Sequence, residues 1–279
     1  MANIEELQKI STQVRRDILR MVTAAKSGHP GGSLGIADVM TALYFSEMRH
    51  DPGTWTREAA DQDVFILSAG HLAPVYYSVL ARSGYFPTSE LGTLRKFGSR
   101  LQGHPSVSDG LPGVFKPSGS LGQGLSVAAG MALCKKSDGS DKRVYCLCGD
   151  GESEEGQIWE AAMWAAHLGL DNLIAFTDWN GLQIDGRTED ITGIGGLNEK
   201  WAAFGWDVVV ADGHDFRSIL DAFSLAHNAD GRPKMILFRT EMGHGVDFMA
   251  GDNAWHGMAP SAEQCEAALK QLPETLGDY

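Results

Sequence analysis

Two short turns in the sequence place oxygen donors directly after apolar runs. Gly149-Asp150-Gly151 follows the run 144–148, and an acidic, helix-forming stretch comes next. A strand, a glycine turn and a helix N-terminus form an anion site, because free backbone N–H groups and the helix dipole point outward there. Asn180 follows the next apolar run, 173–177, at the distance that a turn, a helix and a strand would fill. We therefore expect Asp150 and Asn180 at one edge of a sheet.

A divalent cation would explain why a carboxylate stands in a turn that suits phosphate. Asp150, the Asn180 amide, one backbone carbonyl and two phosphate oxygens would nearly fill the octahedral shell of Mg²⁺. The alternative is a pair of unrelated turns, because short glycine-rich motifs are common by chance. On spacing alone, both interpretations stay open.

Three histidines are the other candidates for chemistry. His29, His71 and His104 each follow a glycine, in three separated segments of the chain. Imidazole titrates near neutral pH and therefore suits proton transfer, although a single histidine is most often a structural or surface residue. Cys146 and Cys148 lie two apart in an apolar run, and we expect them in the core.

Composition limits the class of protein. The chain has 279 residues with 23 Lys plus Arg and 36 Asp plus Glu, and its formal net charge of −13 argues against a nucleic-acid partner. At 43% hydrophobic and 21% charged residues, it is typical of soluble globular proteins. We find no apolar run of about 18 residues and no secretory signal, so we expect a cytoplasmic protein with no membrane partner. The four cysteines include no CxxC pair, which argues against a zinc or disulfide framework.

The elements that must position these residues follow from hydrophobic periodicity. Strands are predicted at 64–67, 144–148, 173–177, 208–211 and 235–238. Helices are predicted at 4–26, 33–48, 72–83, 121–136, 155–168 and 215–228, with a short one at 88–97. This alternation predicts an α/β fold with a doubly wound, mainly parallel sheet and helices on both faces. Ligands of such folds bind at the carboxyl ends of the strands.

The chain is expected to form one domain over residues 1–279, with a C-terminal tail from about residue 262. No internal repeat, low-complexity segment or Pro/Ser linker divides it. The stretch 84–118 is long and rich in glycine and proline, which is typical of functional or interfacial loops.

Six blocks of sequence resemble the transketolase family of thiamine-diphosphate enzymes. They stand in the order of the family and are Ser27-Gly28-His29-Pro30-Gly31, Ser68-Ala69-Gly70-His71, Gly103-His104-Pro105, Gly119-Ser120-Leu121-Gly122-Gln123-Gly124, Gly149-Asp150-Gly151-Glu152-Ser153-Glu154-Glu155-Gly156 and Asp178-Trp179-Asn180-Gly181-Leu182-Gln183-Ile184-Asp185-Gly186. The resemblance runs from about residue 5 to about residue 262 and corresponds to the first domain of the family alone. It implies the N-terminal subunit of a split transketolase with a thiamine-diphosphate-binding fold.

The resemblance also implies cofactors, partners and an activity. The cofactors would be thiamine diphosphate and Mg²⁺, with Ca²⁺ or Mn²⁺ as substitutes. A separate C-terminal transketolase subunit would complete a heterotetramer with two copies of each chain. Together the subunits would act on sugar phosphates and transfer a two-carbon ketol unit from a ketose phosphate to an aldose acceptor.

Individual residues acquire roles by the same resemblance. The metal ligands would be Asp150, Asn180 and the carbonyl oxygen of Leu182. The cofactor contacts would be His71, Gly119, Leu121, Gly149, Asp150, Gly151, Asn180 and Ile184. The residues expected to contact substrate or move protons are His29, His71, His104 and His256, and Glu155 would join a carboxylate network that crosses to the partner. Two positions depart from the family pattern, since Asn253 stands where a further histidine is usual and Trp179 where Asn or Asp is expected.

Three alternatives accompany this main hypothesis. The chain could belong to a synthase that makes a deoxyxylulose phosphate, to the first component of a 2-oxoacid dehydrogenase, or to a non-catalytic binding protein that keeps the cofactor fold. The histidine set argues against the dehydrogenase, because decarboxylation of a 2-oxo acid needs no contact with sugar hydroxyls.

Overall fold

Five apolar runs form one parallel sheet in the computed structural model, which describes residues 3–58 and 61–279. The strands of the chain are β1 (Val64–Leu67), β2 (Val144–Gly149), β3 (Leu173–Trp179), β4 (Leu182–Gln183), β5 (Gly186–Arg187), β6 (Asp207–Asp212) and β7 (Lys234–Arg239). The order in the main sheet is β1-β2-β3-β7-β6, and every neighbouring pair is parallel. The five predicted strands are therefore confirmed, whereas the β4–β5 hairpin was not predicted.

Alternate side chains of the strands enter two separate cores. Phe65, Tyr145, Leu147, Ile174 and Phe176 are among those that enter the first core. Their neighbours in sequence enter the second core and include Val64, Ile66, Val144, Cys146, Cys148 and Ala175. Strands covered on both faces explain why the sequence shows continuous apolar runs rather than an apolar–polar alternation. Both cysteines of β2 are buried, as expected.

Helices cover both faces of the sheet. Their bounds are α1 (Ile4–Ala25), α2 (Pro30–Gly35), α3 (Ala37–Ala42), α4 (Ala73–Arg82), α5 (Gln123–Ser137), α6 (Gly156–His167), α7 (Thr188–Ile191), α8 (Leu197–Ala203), α9 (Phe216–Ala226) and α10 (Ala262–Leu269). α1, α3, α4 and α9 supply the first core, and α5, α6 and α8 supply the second. The doubly wound α/β fold is thus confirmed. In the part of the chain that the structure describes, no helix is long and apolar enough to span a membrane.

The predicted helix over 33–48 is wrong in its bounds and its continuity. The chain turns helical earlier, at Pro30, and α2 ends at Gly35. Ile36 interrupts the helix with a ψ of 4°, and α3 is followed by a π-helical turn over Leu43–Glu47. The cleft is lined at this point by His29 and by Gly32 of α2. The short helix predicted at 88–97 is a 3₁₀ segment at Thr88–Thr93.

The residues after 262 pack against the first helix. α10 begins with a capping box formed by Ser261 and Gln264. Near the end of the chain, Asp278 accepts two hydrogen bonds from the Arg16 guanidinium, at 2.9 and 2.6 Å. Such charge-assisted paired bonds hold the last residues on α1.

Candidate active site

The carboxyl ends of β2 and β3 border a cleft of ≈ 400 Å³. It is lined by all of the predicted catalytic, cofactor-binding and metal-ligating residues, namely His29, His71, His104, Gly119, Leu121, Gly149, Asp150, Gly151, Glu155, Asn180, Leu182, Ile184 and His256. Segments that are far apart in sequence therefore converge on one site. Its position at the ends of parallel strands is the one expected for this fold class.

Asp150 begins the turn that follows β2, and its side chain is only 3% exposed. One carboxylate oxygen accepts the Gly151 N–H at 2.7 Å, and the other accepts the Gly181 N–H at 2.5 Å. A side chain at Gly151 would not fit, because a Cβ there would lie 2.9 Å from the Cβ of Gln183. The turn after β2 is therefore tied to the turn after β3 through one buried carboxylate.

A second buried carboxylate, Asp178, stands at the end of β3. Its oxygens accept hydrogen bonds from the Thr240 hydroxyl and, at 2.9 Å, from the Asn180 amide nitrogen. The side-chain amide oxygen of Asn180, Oδ1, in turn accepts the Leu182 N–H at 2.9 Å. These bonds fix the orientation of the Asn180 amide. Asp178 stands in one of the sequence blocks without a predicted role, although an acidic residue two positions before a predicted ligand is a usable signal.

Both carboxylates lie where a positive charge would stabilise them. Burial, together with the nearby Asp178 carboxylate, raises the pKa of Asp150 to about 7. Burial also raises the pKa of Asp178 to about 6. Buried carboxylates with raised pKa values are costly to ionise unless a cation is near them. Oxygen donors from Asp150, Asn180 and the Leu182 backbone fit a hard divalent cation such as Mg²⁺.

Four histidines form one cluster on another wall of the cleft. The ring of His29 lies 5.3 Å from that of His71, 6.2 Å from that of His104 and 5.6 Å from that of His256. The rings of His71 and His256 are 5.0 Å apart. His29 precedes α2, His71 lies in the 3₁₀ turn after β1, and His256 ends another 3₁₀ turn. Four imidazoles from four segments thus share one space.

The cluster is uncharged at neutral pH. Burial and, as the next largest cause, the neighbouring His256 lower the pKa of His71 to about 3 and that of His29 to about 4. Burial likewise lowers the pKa values of His104 and His256. Among the described residues, the buried Nδ1 of His29 has no hydrogen-bond partner. Neutral imidazoles offer a donor and an acceptor each, so the cluster can bind hydroxyl groups.

Glu152 is a structural residue of the site that the sequence did not predict. Its side chain is 2% exposed, and one oxygen accepts hydrogen bonds from the Ser68 hydroxyl and, at 2.7 Å, from the Gly122 N–H. The other oxygen accepts the Gly149 N–H at 3.0 Å. It therefore joins the ends of β1 and β2 to the loop that carries Gly119 and Leu121. Acidic residues are favourable in a first helical turn because of the helix dipole, so the sequence alone did not indicate this role of Glu152.

Ile184 and Glu155 are among the residues of the cleft that are open to solvent. Ile184, in the β4–β5 hairpin, is 62% exposed, which is unusual for a large apolar side chain beside a polar site. Glu155 precedes α6 and is also exposed. Gly119 leaves free space, since a Cβ there would meet nothing within 4 Å. One side of the cleft therefore presents apolar, acidic and bare backbone surfaces together.

Comparison with known proteins places this geometry in a family. The family model described as "Transketolase, thiamine diphosphate binding domain" matches residues 7–275. The 6-deoxy-6-sulfo-D-fructose transketolase subunit SqwG of Clostridium sp. (strain MSTE9) is 43% identical over 273 residues, which cover 95% of this chain and 97% of that subunit. One of the subunits of apulose-4-phosphate transketolase from Phocaeicola vulgatus is 38% identical, with 98% of this chain and 96% of that protein covered.

Solved structures agree with these relatives. Transketolase from Campylobacter jejuni superposes with a TM-score of 0.89 at 31% identity, covering 97% of this chain and 43% of that chain. Transketolase from Leishmania mexicana gives a TM-score of 0.90 at 30% identity, covering 99% and 42%. The chain thus spans nearly all of the named subunits but less than half of these longer transketolases. These names favour transketolase over the other enzyme types considered above. The chain belongs to the transketolase family and matches its thiamine diphosphate-binding domain.

Proposed function

We propose that the chain is the diphosphate-binding subunit of a two-subunit transketolase. With a separate C-terminal subunit, it would transfer a two-carbon ketol unit from a ketose phosphate to an aldose acceptor. The observation that carries this proposal is the convergence of Asp150, Asn180 and four histidines on one cleft. The relatives of similar length, which are named as transketolase subunits, support it.

The turn after β2 would hold the diphosphate and its metal. Asp150, Asn180 and the Leu182 carbonyl would ligate Mg²⁺, with Ca²⁺ or Mn²⁺ as substitutes, and Gly149 and Gly151 would meet the phosphate oxygens. When bound, thiamine diphosphate stabilises negative charge on the carbon that is transferred. His71, Gly119, Leu121 and Ile184 would contact the rings of the cofactor.

The histidine cluster would bind the sugar and relay its protons. The imidazoles of His29, His71, His104 and His256 are neutral, so each can accept a proton at one nitrogen and donate one at the other. Their crowding makes a second charge in the cluster unfavourable, which favours the transfer of a single proton at a time. The unpartnered Nδ1 of His29 would receive a hydroxyl of the substrate.

The partner subunit would cover the open side of the cleft. Ile184 is 62% exposed, and α6 adds Met163 at 55% and Trp164 at 43% exposure. Exposed apolar side chains near an incomplete site are typical of an interface. We propose a heterotetramer with two copies of each subunit, in which Glu155 meets carboxylates of the partner. The assembly would work in the cytoplasm.

The first test is purification of the chain from its own cells under native conditions, followed by mass spectrometry. We expect a partner of roughly 300 residues that carries the complementary thiamine-binding domain, recovered near one to one. The assembled pair should show ketol transfer that requires thiamine diphosphate and a divalent cation. A chain recovered alone, well behaved with both cofactors and inactive, would favour a binding protein instead.

The second test addresses the metal site. In the assembled pair, Asp150→Ala should abolish Mg²⁺-dependent binding of thiamine diphosphate in calorimetry while the fold is retained. Asp190→Ala is the matched control, because Asp190 is exposed on the nearby α7 and does not line the cleft. Unchanged cofactor affinity in the Asp150 variant would show that the metal site is wrong.

A further inference from the structure

Outside the cleft, three elements meet at the side chain of His214, which follows β6. Its Nδ1 lies 3.1 Å from a carboxylate oxygen of Asp38 on α3. Its Nε2 accepts the backbone N–H of Glu241, after β7, at 2.9 Å. Only an unprotonated ring nitrogen can accept, so Nδ1 carries the hydrogen and donates it to Asp38. The contacts therefore hold His214 as a neutral imidazole in one tautomer.

The carboxylate that holds His214 is itself held rigidly. Asp38 is 5% exposed, and the Arg15 guanidinium of α1 binds both of its oxygens, at 2.8 and 2.7 Å. The Ser11 hydroxyl donates to the same carboxylate. Burial opposes ionisation of Asp38, but the Arg15 charge outweighs it and holds the pKa of that carboxyl well below its usual range. Paired charge-assisted bonds of this kind fix direction as well as charge.

Glu241 begins the segment 241–257, which supplies Met242 and His256 to the cleft. The segment runs close along α2. A Cβ at Gly35 would lie 2.8 Å from the Glu241 carbonyl oxygen, and one at Gly31 would lie 2.7 Å from Cγ of Met242. The first residues of the segment therefore pack closely against α2, the helix that follows His29. A shift of Glu241 would move both Met242 and the path toward His256.

A second histidine, His244, also contacts the start of the segment 241–257. His214 and His244 stack with their ring centroids 3.6 Å apart and their planes 12° apart. Nδ1 of His244 lies 3.3 Å from a carboxylate oxygen of Glu241. Burial, followed by the charge of Arg15, lowers the pKa of His244 and so favours the neutral form of that ring. Both stacked rings therefore contact Glu241, His214 through its backbone N–H and His244 through its carboxylate.

We propose that His214 is a positioning residue of the active site: by accepting the Glu241 N–H, it seats the segment 241–257 and so places Met242 and His256. Asp38 and Arg15 set the tautomer that makes this possible. The ligand atoms of Asp38, His214 and His244 lie within 4.8 Å of one another, which is also compatible with a metal ion. However, the Arg15 guanidinium and the Glu241 N–H already occupy the atoms that an ion would need.

The test uses amide hydrogen exchange of the full chain, which is independent of any activity. His214→Phe keeps the ring and removes both hydrogen bonds, whereas His214→Gln keeps an acceptor near the position of Nε2. In the Phe variant, the amides of Glu241, Gly243 and Gly251 should lose protection by about tenfold, the value of one hydrogen bond. The Gln variant should retain most of that protection. If the Phe variant does not fold, His214→Asn replaces it, because its shorter amide cannot reach the Glu241 N–H.

His50→Phe is the matched control. His50 is, like His214, a half-buried histidine with two hydrogen bonds, to the Tyr85 hydroxyl at 3.0 Å and the Tyr44 carbonyl at 2.8 Å, and it stacks on Tyr85. It lies outside the cleft, so its loss should leave exchange in the segment 241–257 unchanged. Equal exchange in the His50 and His214 variants would overturn the proposal. A second result would also overturn the proposal: if added Zn²⁺ raised the melting temperature of the unaltered chain but not that of the His214→Gln variant, the cluster would be a metal site.

A second measurement, of kcat/KM, rests on the proposed function. In the assembled enzyme, His214→Phe should lower kcat/KM by tenfold or more, because small displacements of reacting groups have large effects on rate. His214→Gln should restore most of it, and His50→Phe should match the unaltered enzyme. Altered exchange with unaltered kcat/KM would contradict the positioning role. If the unaltered complex showed no ketol transfer but the His214 variants still altered exchange, the proposed function would be refuted. The role of His214 in positioning the segment 241–257 would then still stand.

Discussion

Replacement of Glu152 by glutamine tests how the cleft is held together. The Glu152 carboxylate accepts three hydrogen bonds, from the Ser68 hydroxyl, the Gly122 N–H and the Gly149 N–H. The Ser68 oxygen also accepts the Gly124 N–H at 2.9 Å, so its own hydrogen must point toward Glu152. Every group around the carboxylate is therefore a donor. A glutamine brings one acceptor and one further donor into that environment.

The magnitude follows from counting these bonds. In its better orientation, glutamine keeps the bonds from Ser68 and Gly122 and turns its NH₂ group toward the Gly149 N–H. The unpaired buried donor costs about 1–3 kcal/mol, and each retained bond loses about 1 kcal/mol with the charge. Burial raises the pKa of Glu152, so removal of its charge returns part of this loss. We expect a net loss of about 3 kcal/mol.

Thermal unfolding of the full chain without cofactor measures this loss. A change of 3 kcal/mol corresponds to a decrease in Tm of about 6–12 °C for a domain of this size. Glu155→Gln is the matched control, because Glu155 is exposed in the same turn and should change stability by less than about 0.5 kcal/mol. A Glu152→Gln chain that melts within about 2 °C of the Glu155→Gln chain would refute the reasoning.

Two further predictions concern the packing of α5 and the charge of the cluster. Gly124→Ala should destabilise the chain by about 1–3 kcal/mol, because its Cβ would collide with the Cβ of Ser68. Gly130→Ala on the same helix meets nothing within 4 Å and should stabilise by about 0.5–1 kcal/mol, so Tm shifts of the same sign would contradict this. In NMR titrations, His29 and His71 should stay neutral down to about pH 4 and about pH 3, below the unfolded value near 6.5. Stability should therefore fall as the pH drops from 6.5 toward these values, and titration of either ring near pH 6.5 would refute the cluster's burial.

Much of the site could be predicted because its residues lie next to strand ends. Asp150 and Asn180 each follow an apolar run, and parallel neighbouring strands bring their carboxyl ends to one edge. The ladder pairs Gly149 with Asp178, which places the two turns side by side. Sequence proximity to a strand end is thus enough to predict this half of the cleft. The histidines needed the family resemblance, because their segments meet only in the folded chain.

Other residues of the site could not be predicted, because their partners are remote in sequence. Ser68 and Glu152 are 84 positions apart, and Asp38 and His214 are 176 positions apart. Periodicity reports which face of an element is apolar, and it carries no information about which polar groups meet across elements. In the sequence, Glu152 therefore cannot be distinguished from an acidic residue that is favoured only by the helix dipole. The same physics explains why nothing in the sequence distinguishes His214 from a structural or surface histidine.

The predicted helix over 33–48 was wrong in its bounds and continuity for a different reason. Apolar residues recur at helical spacing through the whole stretch, but the tertiary structure breaks it at Ile36. Gly31 and Gly35 allow the segment that begins at Glu241 to pass within contact of the α2 backbone, and a side chain at either position would collide with it. Periodicity reports the apolar face of this stretch, whereas the close packing of α2 against the remote segment depends on Gly31 and Gly35, whose partners the sequence does not reveal.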